Sequence, residues 1–306
     1  MKTPKVTVLM STFNGEKYLK EQIDGIENQS GVEVVLKIRD DGSTDGTTEI
    51  IQGLMERYGN IELTQGENVG YANSFMSLML EDDDSDYYAF ADQDDVWDPL
   101  KIQRAITVLA ERDYYLYASS LTIVDENDEV VGEKKFENFR STVGSILSRN
   151  RLAGCTMVFG KALYEDFRSQ LGNVIKSNSF GFGHDGWLML YSLLNRGEII
   201  VDDESHIHYR RHSSTITSSH GGLKKRIQNE LRIFNNKENR RVRIAQILLD
   251  HYKESYSEEC LRVLKEIAGY KKNFRYRMKL LFGKDVKCGI PVVDFKNSLA
   301  IIFRKY

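Results

Sequence analysis

Asp92-Gln93-Asp94-Asp95 places three carboxylates within four residues, directly after the apolar run Tyr87-Tyr-Ala-Phe-Ala91. So much negative charge in one place is costly unless a cation offsets it. A hard divalent ion is the natural partner: Mg2+ or Mn2+ takes oxygen ligands, usually one or two carboxylates together with phosphate oxygens. The pattern points to an ion bound with a diphosphate rather than a closed protein cage, although an acidic turn capping a helix near Trp97-Asp98-Pro99 would use the same residues. Asp40-Asp41-Gly42-Ser43-Thr44-Asp45-Gly46 offers short polar side chains, glycines for tight turning and a helix N-cap. Such a loop suits the N–H of a pyrimidine base or the hydroxyls of a ribose, and equally a capped turn. Glu81 to Asp84 and Asp86 lie before the apolar run and read as a solvated loop.

The elements that would position these loops alternate. Val6 to Met10 reads as a buried strand, Leu19, Ile23 and Ile26 repeat at helical spacing, and Val32 to Ile38 gives a second strand. Ile50, Ile51, Leu54 and Met55 mark a helix, Ile61 to Leu63 a brief strand, and Phe75, Leu78 and Met79 another helix. Polar clusters at the carboxyl ends of alternating strands predict a mostly parallel sheet with its ligand along that edge. A second region begins near Tyr115, with strands expected at 116–124, 155–159 and 199–201, a helix opening at His184-Asp185-Gly186-Trp187, and a polar terminus at 209–217. Beyond Gly221 the pattern is helical and basic to about Leu281.

Composition excludes several classes. With 306 residues, 41 % hydrophobic and 28 % charged, the chain is too apolar to be disordered. Cys155, Cys260 and Cys288 are too few and too scattered for a disulfide framework, and free thiols in a reducing compartment are expected. The apolar run near the N-terminus is too short for a signal peptide, and no stretch reaches about 18 apolar residues, so neither secretion by that route nor a membrane span is expected. Gly-x-Gly-x-x-Gly and the phosphate-loop motif are both absent, which argues against dehydrogenases and P-loop enzymes. Residues 221–306 hold 21 Lys and Arg against 9 Asp and Glu, a net of +12, while the first 220 hold 21 against 36, a net of −15.

Thr12-Phe13-Asn14-Gly15-Glu16, Asp40 to Thr47, Glu67-Asn68-Val69-Gly70 and Asp92-Gln93-Asp94-Asp95-Val96-Trp97 together resemble glycosyltransferase family 2, over roughly residues 5–217. The Asp-Gln-Asp-Asp-Val-Trp form, His184-Asp185 and Tyr209-Arg210-Arg211-His212 look most like bacterial rhamnosyltransferases of cell-wall or capsular polysaccharide. The resemblance implies an α/β fold of GT-A type: a Rossmann-like, mostly parallel sheet flanked by helices, with a C-terminal helical extension. It implies a domain at 1–220, with a nucleotide-sugar half at about 1–113 and an acceptor half at about 114–220, followed by the basic region 221–306. It also implies an inverting transfer of sugar from a nucleotide diphosphate to a hydroxyl, with Mn2+ or Mg2+ held by Asp94 and Asp95. Asp92 then faces ribose or diphosphate, Thr12, Asn14, Glu16 and Asp40 or Asp41 match nucleotide-binding positions, and Asp185 matches the catalytic base.

Inversion needs one displacement and no enzyme nucleophile; it needs an offset for the leaving diphosphate and a carboxylate to take the hydroxyl proton. Arg210 and Arg211 suit the diphosphate from a mobile loop that also holds Ser213 to Thr215, with His212 within reach of the metal. The Gln-x-x-Arg-Trp of processive members is absent, which implies one or few sugars per encounter.

Lys224-Lys225-Arg226, Arg240-Arg241-x-Arg243 and Lys271 to Phe282 interleave cations with aromatics and leucines, as an interfacial helix does. An anionic membrane surface is the expected partner, with a homodimer interface as the alternative. The donor expected is dTDP-rhamnose, or a UDP-hexose such as galactose or glucose. The acceptor expected is a glycan on polyprenyl diphosphate, reached from the cytoplasm at the inner face of the membrane. A non-catalytic sugar-nucleotide or glycan-binding protein is the reading from another class, and nucleic acid is not expected, given the acidic body.

Overall fold

The computed structural model describes residues 2–177, 182–212, 240–251 and 254–306. The order is β1 (Lys5–Thr12), α1 (Leu19–Glu27), β2 (Glu33–Asp40), α2 (Thr47–Tyr58), β3 (Ile61–Gln65), α3 (Tyr71–Leu78), β4 (Tyr87–Ala91), β5 (Val96–Trp97) and α4 (Lys101–Leu109). It continues with β6 (Leu116–Val124), β7 (Val130–Lys134), α5 (Val143–Ser148), β8 (Val158–Gly160), α6 (Lys161–Ser177), α7 (His184–Leu194) and β9 (Ile199–Arg210). Among the described residues four further helices follow: α8 (Arg240–Asp250), α9 (Glu258–Gly269), α10 (Phe274–Phe282) and α11 (Pro291–Ile302).

The described strands join one mixed sheet in the order β3-β2-β1-β4-β8-β6-β9-β5, with β7 on the side of β6. β1 pairs in parallel with β2 and with β4, and β2 with β3. β8 runs antiparallel between β4 and β6, after which β6 and β9 pair in parallel again. The strands at the centre read as continuous apolar runs because helices cover both faces of such a sheet. Val8, Leu9, Met10, Leu36, Ile38, Ala89, Phe90 and Ala91 are accordingly all buried without alternation. This is the expected α/β architecture, a sheet flanked by helices, with a helical C-terminal part.

Four local features differ from the sequence reading. The strand expected from Cys155 starts only at Val158, because Met157 N–H closes on the Gly154 carbonyl at 2.8 Å and winds 154–156 into a 3-10 turn. The polar segment at 209–217 does not begin as a loop: β9 continues to Arg210, which pairs with Val124. The Asp83 side chain is not solvated but 6 % exposed, 3.1 Å from the buried ammonium of Lys37, and it accepts from Thr7 Oγ1 at 3.0 Å. One more helix, α11, follows the basic pattern that was expected to end near Leu281. Ser213 to Thr217 and Lys224 to Arg226 lie outside the described residues.

By contacts the chain forms two compact units, one of residues 1–136, 152–192 and 197–211, the other of 137–151, 193–196 and 212–306. The first contains the sheet. The second is helical, and Arg241 is one of its centres: its guanidinium donates to the carbonyls of Leu147 and Ser148 and to Asn297 Oδ1, and lies over the ring of Tyr306. Tyr306 in turn shares a 2.6 Å hydrogen bond with Ser148.

Candidate active site

Adjacent parallel strands bring the first two motif loops together. Beyond β1, Asn14 has a left-handed backbone (φ 49°); its Oδ1 accepts the Thr44 N–H at 2.8 Å, and its own N–H meets Ser43 Oγ at 2.9 Å. Glu16 Oε2 accepts the Gly46 N–H at 2.8 Å. Thr12 ends β1 and donates to Asp40 Oδ2 at 2.8 Å, while Asp40 Oδ1 takes the N–H groups of Gly42 and Ser43. Asp41 is buried, ion-paired with Arg39, and accepts the N–H groups of Val69 and Gly70 at 2.9 Å each. The Glu67 to Gly70 motif is thereby tied to the β2 loop. Asp40 and Asp41 are turn centres as they stand, and both Asp40 oxygens already accept two donors each, so a nucleotide bound at Asp40 displaces an internal one.

The loop Asp92–Asp95 leaves the carboxyl end of β4 and is held from three sides. Gln22 of α1 donates to the Asp92 carbonyl at 2.9 Å. Gln93 accepts the Phe13 N–H at 2.8 Å and donates to the Phe13 carbonyl at 3.0 Å, so its amide acts as a one-residue strand. Gly15 leaves room for it, because a Cβ there would meet that amide and the Gln93 side chain would have to shift. Arg210 donates from Nε to the Asp94 carbonyl at 3.0 Å and from its backbone N–H to Asp95 Oδ1 at 3.2 Å. Its guanidinium is fully buried, lies over the Tyr18 ring, and pairs with Glu21 and Asp128 at 2.8 and 2.6 Å.

Charge accumulates inside this frame. Ligand atoms of Asp92, Asp95 and Cys155 lie within 4.8 Å of one another. Burial pushes the Asp92 carboxyl up to about 7, and the charges of Asp94 and Asp185 push the same way. Asp95 is fully buried and moves up as well, by burial first and then by Asp92 and Asp94. Its Oδ2 has no hydrogen-bond partner. Burial also raises the Cys155 thiol, with Asp95 and Asp92 adding to it. Beneath the loop, Lys101 opens α4 with its ammonium 3.6 Å above the Trp97 ring and no hydrogen-bond acceptor. Burial brings that ammonium down to about 7. An orphaned buried carboxylate oxygen among carboxyls that resist ionisation fits a hard divalent ion.

Asp185, second residue of α7, is close enough to Asp92 to raise its pKa. Before it, His184 stacks on Phe75 at 4.0 Å between ring centroids and meets Phe90 edge-on at 4.5 Å. Burial lowers its imidazole to about 4, so it is neutral at ordinary pH, and neither ring nitrogen has a hydrogen-bond partner. Arg211 is exposed, with its N–H on the Val124 carbonyl. His212 is half-buried and belongs to the second unit.

Thr12, Asn14, Glu16, Asp40 and Asp41 thus form one clasped pair of loops, and Asp92, Asp94, Asp95 and Asp185 form one charge cluster. Arg210 is a buried strap rather than a loop cation, because its two carboxylate partners fix it in place. Sequence reasoning missed Gln22, Gln93, Lys101 and Cys155 as parts of this frame. Lys101 alone carried a signal, being a lysine at the start of an otherwise apolar helix face with Ile102, Ala105 and Leu109.

A sequence profile described as Glycosyl transferase family 2 matches residues 7–196. An uncharacterized glycosyltransferase of Nostoc sp. is 30 % identical over 163 residues, 52 % of this chain and 47 % of that protein. The chain therefore aligns with about half the length of that relative. The dTDP-rhamnosyl transferase RfbG of Shigella flexneri is 26 % identical over 216 residues, 67 % of this chain and 72 % of RfbG. Among solved structures, S. aureus TarS 1-349 in complex with UDP-GlcNAc superposes with a TM-score of 0.51 at 17 % identity, covering 98 % of this chain and 92 % of that one. At that identity the likeness is one of fold.

Proposed function

The chain belongs to glycosyltransferase family 2, and on that footing we propose that it is an inverting, metal-dependent enzyme of bacterial surface polysaccharide synthesis that transfers L-rhamnose from dTDP-rhamnose. The relative that supports this donor is RfbG. The observation that carries the reading is the buried Asp95 carboxyl with its orphaned Oδ2, set among Asp92, Asp94 and Asp185 at the end of β4.

In this reading Asp94 and Asp95 hold Mn2+ or Mg2+, and the ion when bound offsets the charge gathered by the departing nucleoside diphosphate. Thr12, Asn14, Glu16 and the Asp40–Asp41 loop bind the nucleotide, Asp92 faces ribose or diphosphate, and Arg211 adds positive charge. Asp185 takes the proton of the acceptor hydroxyl while that oxygen bonds to the anomeric carbon and the bond to the diphosphate breaks. A β-linked donor then gives an α-linked product. His184, neutral and wedged between aromatic rings, sets where α7 begins and so where Asp185 stands. The acceptor is a hydroxyl of a glycan on polyprenyl diphosphate at the inner face of the membrane, where the basic C-terminal region meets anionic lipid.

Hydrolysis or transfer screened over dTDP-rhamnose, UDP-glucose and UDP-galactose, with and without Mn2+, tests this. Turnover of dTDP-rhamnose that depends on the ion is expected. Preference for a UDP-hexose would replace the donor, and no turnover of any donor with acceptor present would overturn the enzyme. Asp185→Asn is expected to abolish transfer and leave nucleotide binding intact.

A further inference from the structure

Helix α11 carries a largely exposed apolar stripe. Val292, Phe295, Ile302 and, just past the helix end, Phe303 are 64, 65, 50 and 61 % exposed. With half-buried Leu299 they recur every three or four residues, which places them along one side of the helix. The residues it buries are different ones: Asn297, Ala300 and Ile301. The neighbouring α10 packs on α11 and adds exposed Phe274 and Phe282. Scattered single apolar residues are normal on a soluble surface; a stripe of this length marks a contact.

The charge around it identifies the contact. Residues 271–306 hold ten Lys and Arg against two Asp. Both acids are engaged within the unit, Asp285 by Arg262 at 3.1 Å and Asp294 by the Cys288 N–H at 2.7 Å. Lys272, Arg275, Lys284, Lys296, Arg304 and Lys305 are exposed. A second copy of the chain would bring the same cationic face against itself, which like charges oppose. Nucleic acid would use the cations but would leave the aliphatic Val292 and Ile302 without a partner. An anionic bilayer takes both, with rings and aliphatic groups in the headgroup layer and cations at the lipid phosphates.

We propose that the α10–α11 face is the membrane-docking surface of this protein, seated on anionic lipid through Val292, Phe295, Ile302 and Phe303. It specifies the membrane contact of the function proposed above and needs none of the chemistry at Asp92 to Asp95.

The test is flotation of the full chain with vesicles of phosphatidylcholine alone or of phosphatidylcholine and phosphatidylglycerol in equal parts. The protein is expected to float with the mixed vesicles and to remain behind with the neutral ones. Phe295→Ser with Phe303→Ser should reduce binding about ten-fold or more. Arg275→Glu with Arg304→Glu, both exposed, should reduce it about five-fold or more for each cation reversed, an effect that added salt mimics. Val131→Ser, at a site 61 % exposed in the first unit, should change nothing. Unaltered binding by the two-Phe variant, equal binding to neutral vesicles, or sedimentation showing a Phe295-dependent dimer that ignores vesicles would each overturn the proposal. Donor hydrolysis by the same variants reads the enzymatic function separately: its loss in every protein, wild type included, would sink that function and leave the docking result standing.

Discussion

Arg210 donates its Nε–H to the main-chain carbonyl of Asp94 at 3.0 Å, so the last residue of β9 fixes the loop that follows β4. The two residues are 116 apart in the chain. Replacing Arg210 by Met leaves Glu21 and Asp128 without their cation, but both are half-exposed and water takes over part of the role. The loss should therefore be about 2 kcal/mol, below the 3–5 of a fully buried pair. Arg210→Lys keeps the charge and loses the Nε donor; its Mn2+ affinity should fall about ten-fold in a calorimetric titration.

Asp92 makes the ion-free protein pH-sensitive. Its carboxyl lies near 7 in the fold against an ordinary 3.8. Between those values the native chain binds more protons there than the unfolded chain, so this residue's contribution to stability falls as pH rises from about 4 to about 7 and is flat above. Chemical denaturation across that window should show the fall, Asp92→Asn should reduce it and leave the part due to Asp95, which burial shifts the same way, and saturating Mn2+ should oppose it because the ion favours the ionised carboxyls.

Lys101 has the opposite sign. Its ammonium lies near 7 in the fold against an ordinary 10.5. Between those values the unfolded chain binds more protons, so stability gains from this residue as pH rises from about 7 to about 10.5. Lys101→Met should abolish that gain and fold with stability equal to or above wild type at pH 7, as measured by urea denaturation.

Gly15→Ala forces a methyl against Gln93 and should break its paired bonds to Phe13. A loss of about 1 kcal/mol and a raised donor KM are expected. In combination with Gln93→Ala the two effects should not add, since the methyl then fills space the amide has left.

The frame was legible where chemistry and periodicity coincide. Apolar runs ending in polar clusters marked β1, β2 and β4 and put Thr12, Asp40 and Asp92 on one sheet edge, because parallel strands share the direction in which they end. Tyr209 to His212 is polar on its own and reads as a loop; the strand position of Arg210 comes from its pairing with Val124 and its place over the Tyr18 ring, both distant in sequence. Asp83 was read as solvated for the same reason, its partner Lys37 lying one strand away. Gln22, Gln93 and Cys155 serve the site through the main chain or through proximity, and neither leaves a trace in residue type.

β4 lies between β1 in parallel register and β8 in antiparallel register, with Tyr88 to Ala91 out of contact with water. The strand that delivers the carboxylates is thus among the least deformable parts of the molecule. In the proposed reading, a change of sugar would leave this spine untouched and fall to the surrounding segments.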